Sequence, residues 1–308
     1  MKILMAILLF VGFTKGEGNP LERMREKLMK LREFSQKIEE KSILTEGVKK
    51  EELDLEGVET ILVKVYFVNL DVKENKDKKK GILDVRIRAL IPSKEMEEMI
   101  KEGNFVGIER EGKTLFILIP EWQEKSKGSF IHLESYAFLE IPKDIPLTIK
   151  GKFSKVRVRK LDSPLSIEND FGNVEIENHQ GTLNMETNYT EIKIKRQMGD
   201  FEGKFDFSDL EILKTEGDVS LYFNFGDLKI GDVVGNAELR IRGGAEIGNI
   251  FGNLSIETKF GWTEVGHIRG DLTLSNLMGD VFIKRVDGRR EVHSKYGTVR
   301  FANLEIQP

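Results

Sequence analysis

Apolar and polar side chains alternate in short stretches along the second half of this sequence, and a Gly precedes each stretch. Apolar residues occupy the second and fourth places after the Gly, as Val174 and Ile176 do after Gly172. Asp or Asn often follows the Gly directly, which is a combination that favours turns. Alternation of this kind is typical of a strand with one buried face. The pattern therefore predicts a succession of short, half-buried β-strands joined by tight turns.

The Gly positions recur every nine residues, and the spacing slips by one residue near Gly243. An aromatic residue precedes every second Gly, with interruptions at Arg242 and Met278, so the full repeat is eighteen residues long. The aromatic positions are Phe153, Phe171, Tyr189, Phe207, Phe225, Phe260 and Tyr296. A fixed period of this length indicates a repeat architecture in which each unit packs on the next.

Outward-facing charges distinguish a parallel solenoid from an antiparallel meander. Five residues spaced eighteen apart in the sequence alternate in the sign of their charge, namely Arg157, Glu175, Lys193, Glu211 and Lys229. In a parallel solenoid such residues stack ~4.8 Å apart, so opposite charges become neighbours, whereas a meander gives no reason for the alternation. We therefore predict an all-β fold in which residues 145–308 form a parallel β-solenoid of about eight 18-residue coils, each a pair of nonapeptides with two main strands.

Three segments precede the solenoid. Residues 1–18 contain an apolar run after a basic start and are predicted to be a secretory signal peptide; an uncleaved anchor or a buried helix are the alternatives. Residues 19–50 are predicted to be a charged amphipathic helix, capped at Asn19, and a linker. We expect this helix to pack on the domain or cover a solenoid end; the alternative is a short coiled coil. Residues 51–144 are predicted to be a small β-rich lead-in region. The mature chain is expected in the periplasm or at the cell surface, without a transmembrane helix.

Composition and motifs narrow the range of functions. Charged residues make up 32% of the chain, but the net charge is only −4. The protein therefore has no strong electrostatic field that would attract nucleic acid. Cysteine is absent, which excludes disulfides, and the abundance of Lys and Glu favours a thermophilic source. The four His residues are scattered, and the turns lack the second Gly and the spaced Asp of calcium-binding nonapeptides. We therefore predict no catalytic residue, no metal site and no cofactor.

Three features of the repeat concern partners. We expect the aromatic row to fill an interior corner, because buried rings contribute much core area; the alternative is an exposed ladder that stacks sugars. Trp262 takes the turn position that usually holds Asp or Asn, should be exposed, and is the candidate residue for contact with a partner. The last coil stops at Pro308 without an evident cover, so weak association as a homodimer through this end is also expected.

Several short motifs resemble a known family. They are Leu115–Pro120, the Gly128-Ser129 turn, Phe138–Pro142 and Leu147–Gly151, followed by the repeated Gly-Asp-Val-x-Ile units. In these the sequence is similar to the bacterial putative-adhesin family of β-strand-repeat domains, which is otherwise a domain of unknown function. The resemblance covers roughly residues 58–304, and it implies an envelope-associated solenoid. The family has no established catalytic residues to carry over, and the charged helix lies outside its pattern.

Two functional hypotheses follow. The first is a non-catalytic, extracytoplasmic, adhesin-like scaffold that binds an envelope polymer or a protein partner through a face of the solenoid. The alternative is a carbohydrate-active enzyme on a β-helix scaffold. An enzyme would be expected to interrupt its own repeat with long loops at the site, and the only irregularity is the one-residue slip. A cleft lined by unpaired carboxylates would favour the enzyme, and faces of paired charges would favour the scaffold.

Overall fold

The computed structural model describes residues 43–91, 93–120 and 132–302 of the 308-residue chain. About 69% of it is strand and 3% is helix, and the strands form a parallel β-solenoid of about nine turns. The predicted all-β solenoid is therefore confirmed, with one turn more than expected. The predicted signal peptide and the predicted helix that begins at Asn19 lie outside the described residues.

The described residues contain one helix, α1 (Lys94–Lys101), between the fourth and fifth strands. In chain order the strands are β1 (Ile43–Asp54), β2 (Thr60–Tyr66), β3 (Val68–Asn75), β4 (Lys80–Ile91), β5 (Gly107–Glu111), β6 (Thr114–Ile119), β7 (His132–Pro142), β8 (Leu147–Lys152), β9 (Lys155–Arg159), β10 (Leu165–Asp170), β11 (Asn173–Glu177), β12 (His179–Gln180), β13 (Leu183–Asn188), β14 (Glu191–Ile194), β15 (Gln197–Met198), β16 (Phe201–Asp206), β17 (Asp209–Glu216), β18 (Val219–Val234), β19 (Ala237–Ile247), β20 (Leu254–Thr258), β21 (Trp262–Ile268), β22 (Leu272–Asn276), β23 (Asp280–Val286), β24 (Arg290–Ser294) and β25 (Thr298–Phe301).

Successive coils pair in parallel at a constant register. Leu165 of β10 lies opposite Leu147 of β8 and Leu183 of β13, so the partners are eighteen residues apart. The step falls to seventeen between Ala237 of β19 and Leu254 of β20, where the sequence slips by one residue. The period seen along the chain is therefore the circumference of one coil.

Each coil has three sides. The first sheet runs through β6, β2, β8, β10, β13, β16, the first halves of β18 and β19, then β20, β22 and β24. The second sheet runs through β7, β3, β9, β11, β14, β17, the second halves of β18 and β19, then β21, β23 and β25. A short third row, which the sequence did not predict, passes through β12, β15 and the ends of β17 and β18 and continues by single bridges at Ile250.

The lead-in region continues the solenoid. Strands β2 and β3 form a coil that pairs in parallel with β8 and β9, across the predicted boundary at residue 145. Beyond this coil, β4 pairs antiparallel with both β7 and β1, and α1 packs on β1 with Ile100 fully buried. Residues 43–50 are part of β1 and not of the predicted linker, because their alternating side chains pair along β4. An antiparallel layer and a helix therefore cover this end of the array.

The core is a set of aliphatic columns with an aromatic centre. The largest buried side chains of the middle coils are Phe201, Phe205 and Phe223, whose neighbouring ring centroids lie 6.2 Å apart. Gly203 faces inward beside them, and a Cβ at that position would lie 2.4 Å from the ring of Phe205. The absence of a side chain at Gly203 thus makes room for the Phe205 ring.

The turns stack as closely as the strands. A Cβ on Gly217 would lie 2.5 Å from the carbonyl carbon and oxygen of Gly199 in the preceding coil. The Asp that follows also acts between coils, because Asp200 Oδ1 accepts the backbone N–H of Asp218 at 3.0 Å and Asp218 Oδ1 accepts that of Asn236 at 2.8 Å. The Gly-Asp motif thus lets neighbouring turns approach and bonds them together.

The stacked charge column is present as predicted. Glu175 lies opposite Arg157 and Lys193, and Glu211 lies opposite Lys193 and Lys229. We expect Glu211→Lys to lower the melting temperature slightly, because it places three cations in one column and each exposed pair contributes only ~0.2–1 kcal/mol. Thermal melts at low and high salt would measure this, and the loss should shrink as salt screens the repulsion. An equal loss at both salt concentrations would contradict the electrostatic origin.

Candidate functional site

A row of aromatic rings is exposed along the corner between the first and second sheets. Consecutive ring centroids lie 4.9–5.5 Å apart, and the ring planes are within 22° of parallel. We call this row the aromatic ladder, and its members are Phe67, Phe153, Phe171, Tyr189, Phe207 and Phe225. From Phe153 onward the side chains are 42–53% exposed, so the prediction of an interior stack is wrong.

The backbone explains why the rings point outward. In the strand before Phe171, the buried residues Leu165, Ile167 and Asn169 alternate with outward ones, and simple alternation would turn Phe171 inward as well. Phe171 instead has a φ of 56°, and every ladder residue has a φ between 49° and 61°. A residue with the left-handed backbone conformation points its side chain to the opposite side from the one that strand alternation would give. The ladder therefore lies at the turn itself and not in the core.

The left-handed conformation is unfavourable for an aromatic residue. It costs roughly 1–2 kcal/mol relative to the right-handed form, and Gly or Asn would make the same turn more easily. Stacking between adjacent rings contributes ~0.5–1.5 kcal/mol per pair, which offsets part of that cost. Six consecutive coils nevertheless carry a ring here. Residual strain and exposure mark the ladder as the strongest functional candidate among the described residues.

Polar columns border the ladder on both sides. On the first sheet, Asn188 Nδ2 donates to Asp170 Oδ1 at 2.8 Å, and the same pairing recurs between Asn224 and Asp206. On the second sheet, the Asn173 side chain donates to Glu191 at 2.9 Å. The ladder is therefore an apolar strip, about one ring wide, between two hydrogen-bonded polar borders. It spans roughly 24 Å at ~4.8 Å per coil.

Trp262 is exposed on the second sheet, as predicted, with half of its surface accessible. Its indole lies over Gly244 of the preceding coil, where a Cβ would lie 3.3 Å from Nε1. Phe260 and Phe282 are exposed nearby, and Trp262 and Phe282 line a shallow depression that also includes Arg300. The structure thus places Trp262 in an exposed aromatic patch, and its contact with a partner stays a prediction.

The carboxylate of Glu175 has the best-defined electrostatic environment near the ladder. Arg157 donates from Nη2 and Nε to Glu175 Oε2 at 2.7 and 2.9 Å, and it holds the pKa of this carboxyl below its usual value. Lys195, 3.3 Å away, lowers this pKa further, while partial burial opposes the shift. Glu175 therefore binds protons less readily in the folded than in the unfolded chain.

This shift predicts how Glu175→Gln changes stability with pH. Because the pKa of Glu175 is lower in the folded than in the unfolded chain, where it is ~4.3, the ionised carboxylate stabilises the fold at pH values above ~4.3. This stabilisation is lost as the pH falls through the pKa of the folded chain. We expect the variant to melt below the wild type at neutral pH and the two curves to converge in acid. Melting temperatures from neutral pH to about pH 3 would show this. A difference that stays constant over that range would contradict the ion-pair origin.

The sequence predicted no catalytic residue and no metal site, and the absence of catalytic residues stays a prediction. No group of three or more His, Cys, Asp or Glu residues in the described ranges could hold a metal ion. Three His side chains there have separate partners: His179 contacts Gln197, His267 contacts Asp287, and His293 contacts Glu291. In the described part of the chain, no helix has the length and apolar character needed to cross a bilayer.

Comparisons with known proteins give structural neighbours alone. No family model matches the chain, and no characterised protein matches it in sequence. A putative adhesin from Parabacteroides merdae is 13% identical with a TM-score of 0.40, and the match covers 83% of this chain and 96% of that one. A putative adhesin from Bacteroides fragilis is 15% identical with a TM-score of 0.36, covering 82% and 96%.

A putative cell adhesion protein from Clostridium sporogenes also matches, at 12% identity and a TM-score of 0.21, covering 84% of this chain and 99% of that one. These matches bear out the predicted resemblance to putative adhesins. The fold assignment rests on the strand pairing of this chain described above.

Proposed function

We propose that this protein is a non-catalytic, extracytoplasmic scaffold of the cell envelope that binds an elongated partner along its aromatic ladder. The observation that carries the proposal is a row of six stacked rings in left-handed turns, five of which are exposed. A row of this kind is more costly than a turn requires, and exposed apolar surface of this extent commonly marks an interaction site.

The dimensions of the ladder favour a chain-like partner. A stable interface with a compact protein buries about 800 Å² on each side, over a broad patch. The ladder is only one ring wide, so it is too narrow for such an interface. An extended polymer or polypeptide can follow the strip along the solenoid axis and contact one ring per coil. The exposed patch around Trp262 would extend this contact towards the last coils.

An extracytoplasmic location is supported by the predicted signal peptide of residues 1–18. The structural neighbours described as putative adhesins and a putative cell adhesion protein are compatible with such a location. The mature chain would then consist of the charged helix, the capped lead-in and the solenoid. Its paired surface charges and regular coils suit a rigid spacer.

The carbohydrate-active enzyme alternative would require two carboxylates free to act as acid and base. Several carboxylates on the outer face of the first sheet are instead paired with cations, namely Glu168 with Lys150, Glu186 with Lys204, and Glu238 with Arg240. From β8 to β25 the strands are joined by short connections, with no long loop inserted at one level. Both features favour the scaffold.

A ladder variant tests the proposal. Tyr189→Asn combined with Phe207→Asn removes two central rings and keeps a residue type that tolerates the left-handed conformation. The purified protein and this variant would be compared on a glycan array and on fractionated envelope polymers and proteins. We expect the variant to lose binding while its melting temperature falls only slightly, because Asn tolerates the left-handed turn and so offsets part of the lost ring stacking.

Phe251→Thr is a matched control, because Phe251 is an exposed ring beside Ile250 of the third row, at a different corner of the coil from the ladder. Binding that survives in the ladder variant, or that falls equally in the control, would refute the role of the ladder. Release of new reducing ends from any bound polysaccharide would refute the non-catalytic assignment.

A further inference from the structure

A second surface, separate from the aromatic ladder, forms a long groove on the outer face of the first sheet. Two adjoining depressions, of about 490 and 660 Å³, share part of their lining and run along the solenoid axis. We call this surface the polar groove. Its floor takes one residue from each of six successive coils, namely Ser166, Asn184, Glu202, Ser220, Glu238 and Ser255.

The walls of the polar groove are held in place by bonds within the protein. One wall is the column of turn residues, in which Asp200, Asp218 and Asn236 each accept the backbone N–H of the next coil at 2.8–3.0 Å. The other wall contains Lys204, which is ion-paired with Glu186 at 2.9 Å, and Tyr222. These contacts fix the oxygen atoms of the groove before any ligand arrives, which reduces the ordering that binding requires.

The chemistry of the groove selects its ligand. Its floor offers hydroxyl, amide and carboxylate groups at a spacing of ~4.8 Å, which suits a chain with a hydroxyl group on every unit. The lining includes six carboxylates and two cations, so it repels polyanions. Glu202, in the centre of the floor, has neither an ion pair nor a side-chain hydrogen bond within the described chain, and it is available to accept one from a ligand.

A basic peptide would match the charge of the groove too, but the backbone and floor of the groove suit a peptide less well than a sugar chain. Peptides that lie on sheets bind through a free strand edge or through apolar side-chain pockets. The strands under the groove, from β10 to β20, are paired on both sides and present no free edge. The floor is polar, so it offers no apolar pocket either.

We propose that the polar groove binds an amino-sugar polysaccharide that runs along the solenoid axis across several coils. Its hydroxyl groups would bond to the Ser and Asn residues of the floor, and its protonated amines would bond to the carboxylates. This site lies on a face of the coil, whereas the ladder lies at a corner. The inference therefore does not rest on binding by the ladder.

Binding of a glucosamine hexasaccharide to the purified protein, measured by calorimetry while the amines are protonated, tests the proposal. Glu202→Gln should weaken binding about tenfold, because it removes a charge-assisted hydrogen bond. Ser220→Tyr should weaken binding at least about tenfold by filling the floor. Matched controls in the same column but beyond the groove are Glu291→Gln and Thr273→Tyr, and both should bind like the wild type.

Polygalacturonate, a polyanion, should not bind, and the fully N-acetylated hexasaccharide should bind more weakly than the amine form. Equal binding of the two hexasaccharides, or equal losses in the groove variants and their controls, would overturn the proposal. Binding of polylysine in preference to the glucosamine chain would overturn it in favour of a peptide site. Binding lost in the Tyr189→Asn and Phe207→Asn variant but kept in the groove variants would overturn it and leave the ladder as the binding surface.

Discussion

Gly217→Ala should destabilise the solenoid by about 2–5 kcal/mol. The new methyl group would lie 2.5 Å from the backbone of Gly199, and backbone in a stacked coil cannot move aside as a flexible side chain does. Overpacking of this kind costs ~1–3 kcal/mol. The φ of Gly217 is +149°, which is unfavourable for residues with a Cβ and adds ~1–2 kcal/mol. Denaturant unfolding followed by circular dichroism would measure the loss.

Gly112→Ala is the matched control for this prediction. Gly112 also has a positive φ, of 59°, but no atom lies within 4 Å of the position its Cβ would take. Its substitution should cost ~1–2 kcal/mol, from the backbone alone. The excess at Gly217 therefore measures the close approach of successive turns. Equal losses at the two positions would show that the turns can separate without cost.

Phe205→Ala should cost about 3–5 kcal/mol, whereas Phe207→Ala should cost about 1–2 kcal/mol. The Phe205 ring is fully buried between Phe201 and Phe223, and its removal leaves a cavity beside Gly203, which has no side chain to fill it. The Phe207 ring is half exposed and mainly loses its stacking on Tyr189 and Phe225.

The two variants differ by two positions along one chain segment, so they share coil, length and composition. Equilibrium unfolding of both, under identical conditions, compares the interior directly with the ladder. A loss at Phe207 as large as that at Phe205 would mean that the ladder ring is buried in solution. A small loss at Phe205 would mean that the core of the middle coils can collapse around the missing ring.

The repeat itself was readable from the sequence. Glu175, Lys193 and Glu211 alternate in charge at a spacing of eighteen, and the structure stacks these three in one column. The prediction succeeded because neighbouring coils of a parallel solenoid are related by a constant step along the chain. A constant step converts sequence period into spatial contact, so the strand register and the one-residue slip were both visible in advance.

The surroundings of the repeat were less readable. The strand at residues 43–50 and the coil formed by β2 and β3 depend on pairing with distant segments, which no local period encodes. The polar groove likewise arises from small side chains such as Ser166 and Ser220, which form a floor only when several coils are stacked. Neither the groove nor its free carboxylate Glu202 was identified from the sequence.

The sequence by itself determined the circumference of the coil, the order of the strands and the stacking partners of the charged residues. The tertiary structure alone decided which way the aromatic row faces. The side chain of Phe171 would point inward if its backbone continued the strand, and it points outward because its φ is positive. Alternation along a chain records the spacing of residues but not the sign of φ at a turn, which is imposed where the first sheet meets the second.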